Sequence, residues 1–334
     1  MFNKLYVKIK NIIKENYIFI IIFILMFLLF NIELPYKIQT PGGFLSLKEK
    51  IKVNNEYNDD GEFGMAYVSE IKGSIPFLLY SYLNPNWDII SNDELSYENE
   101  TIEDVFNRGV IKMKEAIFNA TYNAYKKSGN EINILDKKIY ITYIDNIEND
   151  FKVGDEIISI NDYHASSLEE LNEIIASLDH NNTVYVKVKR YDKEKIIEAH
   201  LKEYNNIYKL GLLLTYNYEY EANPTINVSS KTNESGPSGG LMMALDIYNK
   251  LTNSNLTKSE KIAGTGTIDL NGNVGEISGI KYKLIGAYES GAKVFLCPKE
   301  NYEEAYDIAQ SKNYDIIIKD VGTLDEAITF LKER

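Results

Sequence analysis

The chain has 334 residues, of which 44% are hydrophobic and 25% charged, a balance typical of folded domains that bury a core. Its length leaves room for about two domains, and the formal net charge of -13 argues against a protein that binds nucleic acid. The single cysteine, Cys297, excludes an intrachain disulfide and a cysteine-based zinc site, and three histidines argue against a histidine-based metal site. Because Cys297 lies in an apolar strand-like segment, we expect it to be a core residue.

The first element is an apolar segment, Asn16–Ile32, that contains no charged residue. A helix of about 17 residues is roughly 25 Å long, near the lower limit for crossing a bilayer. Lysines precede it at positions 4, 8, 10 and 14, and the positive-inside rule then keeps the N-terminus in the cytoplasm and the rest of the chain outside. We expect a basic tail over residues 1–15 and a single-pass cell-membrane anchor over 16–34. The alternative is a cleaved signal peptide, but the small residues of a cleavage site do not follow.

The next segment predicts short strands and one long helix. Pro41, Gly42 and Gly43 predict a turn that leads into extended chain. Alternating apolar residues predict strands at 44–47, 51–53 and 64–68. Apolar residues at helical spacing predict a helix over residues 101–127, which Gly129 is expected to end.

Residues 132–203 predict a compact module rich in strands. Strands are expected at 139–142 and 184–188, and a turn followed by a strand at 153–161. Ser166 and Glu169 form a capping box that begins a helix ending near Ser177. This order resembles a PDZ domain, and the run Gly154–Asn161 is similar to a stretch common in bacterial PDZ modules. A run similar to Gly-Leu-Gly-Phe does not precede the first strand, so the binding of free C-termini stays open, and a structural module without ligand is the alternative.

A serine within a glycine-rich turn is the first candidate for chemistry. Residues 234–240 read Glu-Ser-Gly-Pro-Ser-Gly-Gly and run directly into an apolar helical segment. A hydroxyl at a helix N-terminus lies beside main-chain N–H groups that can stabilise an oxyanion, although a serine there is more often only an N-cap. All three histidines precede Ser238, which excludes the usual order of an α/β-hydrolase triad. A nucleophilic Ser238 would therefore need a lysine base whose pKa is lowered by burial.

The segment 262–287 supplies such a lysine. It predicts a strand, an Asn-Gly hairpin, a second strand and a helix that carries Lys281 and Lys283. The two lysines lie two residues apart, about 200° around a helix, so both cannot point into one site.

Together, Gly-Pro-Ser-Gly-Gly, Thr-Gly-Thr-Ile and Ile-Ser-Gly-Ile-Lys-Tyr-Lys resemble the proteolytic domain of Lon-type serine peptidases, which use a Ser-Lys dyad. The membrane-anchored, PDZ-containing YlbL-type group is the variant that the chain resembles most. The resemblance implies Ser238 as nucleophile, Lys283 as general base and Thr265 as the residue that orients the lysine. Gly236, Pro237 and Gly239 match the loop around the oxyanion. Gly239 departs from the usual alanine, Ser278 from a common glycine, and Thr267 occupies the place of an acidic residue in Lon itself.

The resemblance also implies an α+β fold in which the Lon-like domain is split. Its first part would cover residues 36–128 and its catalytic part 205–334, with the PDZ-like module inserted between them over 132–203. After Lys283 the sequence predicts a strand over 292–298, a helix over 303–311, a strand over 315–318, and a final helix capped by Thr323 and Glu326.

The function that the resemblance implies is a membrane-anchored serine endopeptidase acting on extracytoplasmic unfolded or short membrane-associated proteins, without cofactor or metal. We expect it to be ATP-independent because the sequence contains no Gly-Lys dipeptide, which a Walker A loop requires. The resemblance implies a homo-oligomer, a hexameric ring in Lon-type domains. The alternative is a non-catalytic, membrane-tethered scaffold that binds peptides through its PDZ-like module.

Overall fold

The computed structural model describes residues 2–231 and 234–334 of the chain. Met1, in the predicted basic tail, and Thr232 and Asn233, in the predicted catalytic part, lie outside the described residues. The described helices are α1 (Phe2–Asn31), α2 (Ile75–Ser81), α3 (Asn92–Leu95), α4 (Ile102–Ser128), α5 (Leu168–Ser177), α6 (Gly240–Leu251), α7 (Ile280–Glu289), α8 (Tyr302–Lys312) and α9 (Leu324–Glu333). The described strands are β1 (Tyr36–Ser46), β2 (Ile51–Val53), β3 (Glu62–Lys72), β4 (Asp88–Ser91), β5 (Glu131–Ile144), β6 (Glu156–Ile160), β7 (Val184–Arg190), β8 (Lys193–Ala199), β9 (Lys202–Tyr204), β10 (Ile207–Lys209), β11 (Leu212–Asn223), β12 (Ile226–Val228), β13 (Lys261–Gly264), β14 (Thr267–Ile268), β15 (Val274–Gly275), β16 (Val294–Pro298) and β17 (Ile317–Val321).

The chain divides into two compact units. The first, here called the N-terminal unit, contains the chain up to Thr40 together with Ser69–Leu95. The second, the C-terminal unit, contains Pro41–Val68 together with Ser96–Arg334. Strands β1 and β3 contribute residues to both units.

The N-terminal unit contains the apolar helix α1. The helix starts well before the apolar segment, with non-helical backbone angles at Asn16. Leu5–Asn31 is long and apolar enough to cross a membrane, with a mean hydropathy of 2.3 over its most apolar window, although a signal sequence satisfies the same criterion. In the same unit β4 pairs antiparallel with the start of β1, where Tyr36 lies opposite Ser91.

A largely parallel sheet, in the order β17-β16-β13-β3-β1, forms the centre of the C-terminal unit. Ile262 of β13 lies in parallel register between Phe63 of β3 and Val294 of β16, and all three side chains are fully buried. Parallel strands covered on both faces carry such continuous apolar runs. Cys297, on β16, is also fully buried, and burial raises the pKa of its thiol to about 12. The prediction that it is a core residue is confirmed.

The turn predicted at Pro41, Gly42 and Gly43 is wrong, because these residues continue strand β1. A Cβ on Gly42 would collide with the carbonyl and ring of Tyr67, so the approach of the neighbouring strand requires glycine there. Gly43 has a φ of +142°, in the region that favours glycine, and a Cβ on Gly286 of α7 would lie 2.9 Å from its Cα. The local sequence does not distinguish these requirements from those of a turn.

Helix α4 confirms the helix predicted over residues 101–127. Thr101 accepts a hydrogen bond from the Asp104 N–H, the Asp104 carboxylate accepts one from the Thr101 N–H, and Gly129 ends the helix in the left-handed conformation. Its buried face, with Ala120 and Ala124, packs with α6 in a first core. The strands and helices predicted after Lys283 are present, with β17 starting at Ile317 and Thr323 capping α9.

A second core lies under an antiparallel sheet in the order β11-β5-β6-β7-β8. Ile141, Val186 and Val188 project from this sheet towards Leu171 of α5, and all four are almost completely buried. The chain contributes residues up to Ile132 to the first core, residues 139–210 to the second, and residues from Leu241 onwards to the first again.

Helix α5 begins one residue later than predicted. Ser167, rather than Ser166, is the N-cap and accepts from the Glu170 N–H, while the Glu170 carboxylate accepts from the Ser166 N–H. Both serines have a glutamate three residues on, so the sequence pattern alone fits either register. The Tyr216 hydroxyl accepts from the Leu168 N–H at 2.7 Å and thereby favours the later start.

Candidate active site

The loop that carries Ser238 ends at the N-terminus of α6. The Gly240 N–H donates to the Pro237 carbonyl at 3.2 Å and closes a turn around Ser238, which is partly exposed. Gly236 has a φ of +95°, in the left-handed region that favours glycine. Its N–H donates to the carbonyl of Gly109 on α4 at 2.9 Å. Backbone contacts on both sides therefore hold the serine at the start of the helix.

Helix α6 is buried along Gly240–Lys250, and Gly239 occupies its N-cap position without a side-chain cap. A Cβ on Gly239 would collide with the thioether sulfur of Met65, on β3. A Cβ on Gly240 would lie 2.8 Å from the Cγ2 of Ile268. The departure at Gly239 from the alanine usual in Lon-type domains thus has a local reason, since Met65 fills the space that the methyl group would need.

Thr265 links the serine loop to the central sheet. It directly follows β13, and its N–H donates to the Leu296 carbonyl on β16 at 2.9 Å. The Thr265 hydroxyl, 0% exposed, donates to the main-chain carbonyl of Ser238 at 3.1 Å. The Gly266 N–H donates to the same carbonyl at 2.7 Å. Two donors on one carbonyl fix the Ser238 backbone relative to β13.

Lys283 approaches Thr265 from the first turn of α7. The lysine side chain is 5% exposed and lies among buried apolar residues of the same helix, including Ile280 and Leu284. Its Nζ donates to the Thr265 Oγ1 at 3.2 Å. Burial lowers the pKa of the ammonium group to about 8, because the charged form loses hydration that the apolar surroundings do not replace. The amine can therefore release its proton near neutral pH.

Lys281 has a different environment. It is half-buried, and its Nζ lies 5.4 Å from the centre of the Tyr282 ring. The two lysines, two positions apart on one helix, thus face different surroundings, as the helical spacing predicts.

Lys50, Ser229 and Gly109 support the loop and were not identified from the sequence. Lys50 forms a 2.5 Å ion pair with Glu234, a residue of the loop, and the Lys50 carbonyl accepts from the Ser229 N–H. These residues are far apart in sequence, and no local pattern connects them. Gly109 could have been identified from the sequence, because it lies in the middle of a predicted helix. A glycine there costs about 1 kcal/mol relative to alanine and so indicates close packing against another part of the chain.

Asn119, on the buried face of α4, holds the strand that follows Thr265. Its Nδ2 donates to the Ile268 carbonyl of β14 at 3.0 Å. Among the described residues its Oδ1 is one of the buried atoms without a hydrogen-bond partner. The position was predicted only as part of a helix.

Two regions of the chain match known protein families. Residues 226–333 match the model of the Lon protease (S16) C-terminal proteolytic domain, and residues 127–201 match that of the PDZ domain. A PDZ domain of the SdrC-like protein from Listeria monocytogenes aligns with 23% of this chain and 85% of its own, at 21% identity and a TM-score of 0.21.

Several Lon proteases are similar in sequence. The Lon protease of Haemophilus influenzae is 34% identical over 128 residues, which are 37% of this chain and 15% of that protein. That of Campylobacter concisus is 39% identical over 94 residues, 28% of this chain and 11% of the relative. That of Methanosphaera stadtmanae is 36% identical over 93 residues, which are 28% of this chain and 11% of that protein. The chain thus spans 15% or less of the length of these relatives.

The antiparallel sheet with α5 lies mainly in the PDZ match, and Ser238, Thr265 and Lys283 all lie in the proteolytic-domain match. The chain is a mixed α/β protein that contains a Lon protease C-terminal proteolytic domain and a PDZ domain.

Proposed function

We propose that the protein is a membrane-anchored, ATP-independent serine endopeptidase with Ser238 as nucleophile and Lys283 as general base. The observation that supports this most directly is the buried amine of Lys283, with its lowered pKa, hydrogen-bonded to the Thr265 hydroxyl that also contacts Ser238. A lysine in apolar surroundings costs stability when charged, and such perturbed groups concentrate at functional sites.

The residues divide the chemistry between them. Neutral Lys283 takes the proton of the Ser238 hydroxyl as the oxygen attacks the carbonyl carbon of a peptide bond. The oxyanion that forms is stabilised by main-chain N–H groups at the start of α6, in the loop of Gly236, Pro237 and Gly239. The lysine then gives its proton to the leaving amine. In the second half-reaction water attacks the acyl carbon while Lys283 takes a proton from it; the bond to the Ser238 Oγ then breaks, and the lysine returns the proton to that oxygen.

Anchoring and topology follow from the sequence pattern around α1. The apolar span Leu5–Asn31 supports a membrane location, and the lysines before the apolar segment support a cytoplasmic N-terminus. The active site then lies outside the cell. ATP independence is part of the proposal, supported by the absence of a Gly-Lys dipeptide from the sequence.

The substrates we propose are unfolded or short, membrane-associated proteins and peptides. A peptidase without an unfolding motor acts on chains that are already accessible, and a PDZ domain provides a surface for an extended peptide. The order in which the chain builds its two cores supports a proteolytic domain split by the PDZ domain, with a first part over 36–128. Assembly as a homo-oligomer, by analogy with Lon-type rings, belongs to the same proposal.

The test is cleavage of casein and of a peptide library by the full chain in detergent. Ser238→Ala and Lys283→Met should each abolish cleavage while leaving the protein folded. Lys281→Met is the matched control, because it removes an ammonium group from the same helix outside the buried site, and it should retain activity.

Continued cleavage by either site variant contradicts the dyad. A folded protein that binds peptides and cleaves none of them would instead favour the non-catalytic scaffold.

A further inference from the structure

The N-terminal unit exposes a second apolar surface besides α1. We call Gly73–Trp87 the juxtamembrane segment; it contains no charged residue between Lys72 and Asp88. Tyr82 and Leu83 are each 82% exposed and Leu79 is 64% exposed. Contiguous exposed apolar side chains of this size mark an interaction surface rather than ordinary surface.

Local structure explains why these side chains point outwards. Helix α2 begins after Ser74, with Pro76 in its first turn, and its early residues are half-buried. Ser81 is buried, whereas the residues on either side of it are exposed. The C-terminal end of α2 and the chain after it therefore present one apolar face.

The surface is continuous with the end of α1. The Phe30 and Phe77 rings meet edge to face with their centres 5.8 Å apart. The Leu34 N–H donates to the Gly73 carbonyl at 2.8 Å. Just beyond the apolar stretches, Glu33 and Lys72 form a 2.6 Å ion pair, so the first charged residues after α1 and before the juxtamembrane segment lie side by side.

The aromatic residues of the juxtamembrane segment are of the kinds found at membrane–water interfaces. Tyr80 and Trp87 pack edge to face with their ring centres 4.8 Å apart, and Tyr80 and Tyr82 are both exposed. Tyrosine and tryptophan concentrate at membrane–water interfaces, because each has an apolar ring and a polar atom that remains hydrated. Asparagines at 84 and 86 supply polar but uncharged groups, as such a boundary favours.

We propose that the juxtamembrane segment lies in the boundary between lipid headgroups and acyl chains, beside the point where α1 leaves the bilayer. Its partner is the lipid surface itself. The segment is a second membrane contact in the same unit as the anchor, and it adds apolar area to the attachment made by α1. This proposal rests on the proposed anchoring by α1.

The chain contains a single tryptophan, Trp87, which makes the test specific to this segment. The full chain is reconstituted into phosphatidylcholine–phosphatidylglycerol vesicles, with or without bromine on the upper acyl carbons. We expect brominated lipid to quench at least half of the Trp87 emission, and aqueous iodide to quench it weakly. A triple variant, Leu79→Ser with Tyr82→Ser and Leu83→Ser, should reduce the lipid quenching at least twofold. Ile147→Ser, an exposed apolar position in the C-terminal unit, is the control and should leave it unchanged.

Flotation of the vesicles separates the two proposals. Protein that does not float with the vesicles contradicts the anchor itself. Protein that floats while Trp87 is quenched by iodide and not by brominated lipid contradicts the interfacial contact alone. Trp87 shielded from both quenchers also overturns it, because the surface is then covered by protein.

Discussion

Lys283 and Thr265 connect helix α7 to the serine loop: the lysine Nζ donates to the threonine Oγ1 at 3.2 Å, and that hydroxyl in turn donates to the Ser238 carbonyl at 3.1 Å. The threonine therefore acts as acceptor and donor at once, so its hydroxyl orientation is determined. A lysine held in this way would require little rearrangement to act as the proposed base.

Activity should rise with pH through the pKa of Lys283. Only the neutral amine accepts a proton, and burial places this pKa near 8, well below the usual value for lysine. We expect log kcat/KM to increase with pH below about 8 and to level off above it. The measurement is a profile of peptide cleavage between pH 6 and pH 10, at roughly constant ionic strength. A profile that is flat across this range would contradict Lys283 as the base.

Thr265→Val should impair catalysis by more than it impairs folding. Valine has nearly the same shape but neither accepts from Lys283 nor donates to the Ser238 carbonyl. We expect kcat to fall roughly tenfold to hundredfold, at or below the lower end of what a positioned base contributes, because Lys283 itself remains. Thr265→Ser keeps the hydroxyl and should retain most of the activity. Activity retained by Thr265→Val and lost by Thr265→Ser would show that the methyl group, and not the hydroxyl, matters.

Lys283→Met should stabilise the protein at neutral pH. The pKa of Lys283 is lower in the folded state than in the unfolded chain, so the unfolded state binds more protons between about pH 8 and the ordinary lysine pKa. Below about pH 8 the buried charge therefore lowers the free energy of unfolding by its full amount, about 3 kcal/mol. This penalty disappears as the pH rises from about 8 to the ordinary lysine pKa.

We therefore expect the methionine variant to have the higher Tm at pH 7, with a difference that shrinks towards pH 10. Thermal unfolding of the full chain in detergent measures this, and Lys281→Met should show no comparable gain. A lower Tm for Lys283→Met at every pH would contradict the expected penalty.

Gly109→Ala should lower activity without lowering stability. An added Cβ would lie 3.0 Å from the Cβ of Ser235, and the Gly109 carbonyl accepts from the Gly236 N–H. Displacing the loop by a fraction of an ångström moves Ser238, and we expect kcat/KM to fall roughly tenfold. Alanine favours the helix by about 1 kcal/mol, so the Tm should hold or rise. Lys114→Ala, at an exposed position of α4, is the control; unchanged activity in both variants would show that the loop tolerates the methyl group.

Much of the fold could be predicted because the relevant signals are local. The capping box of Thr101 and Asp104, the left-handed Gly129 and the apolar spacing between them determine α4 by short-range hydrogen bonding and periodicity. The cap of α9 at Thr323 follows from the same rules. Either Ser166 or Ser167 could cap helix α5 by the local pattern, and the predicted N-cap is one residue too early. The contact between the Leu168 N–H and Tyr216, on β11, favours the cap at Ser167.

The sequence by itself determined that Ser238 precedes a helix, that a histidine triad in the usual order is excluded, and that a lysine is the base to look for. Only the tertiary structure decided that Lys283 is buried and contacts Thr265, that Met65 fills the space beside Gly239, and that Gly42 and Gly43 continue a strand. The physical reason is that hydration and close packing depend on neighbours from distant parts of the chain. A pKa lowered by burial, and a glycine required by an approaching backbone, exist only once those parts have come together.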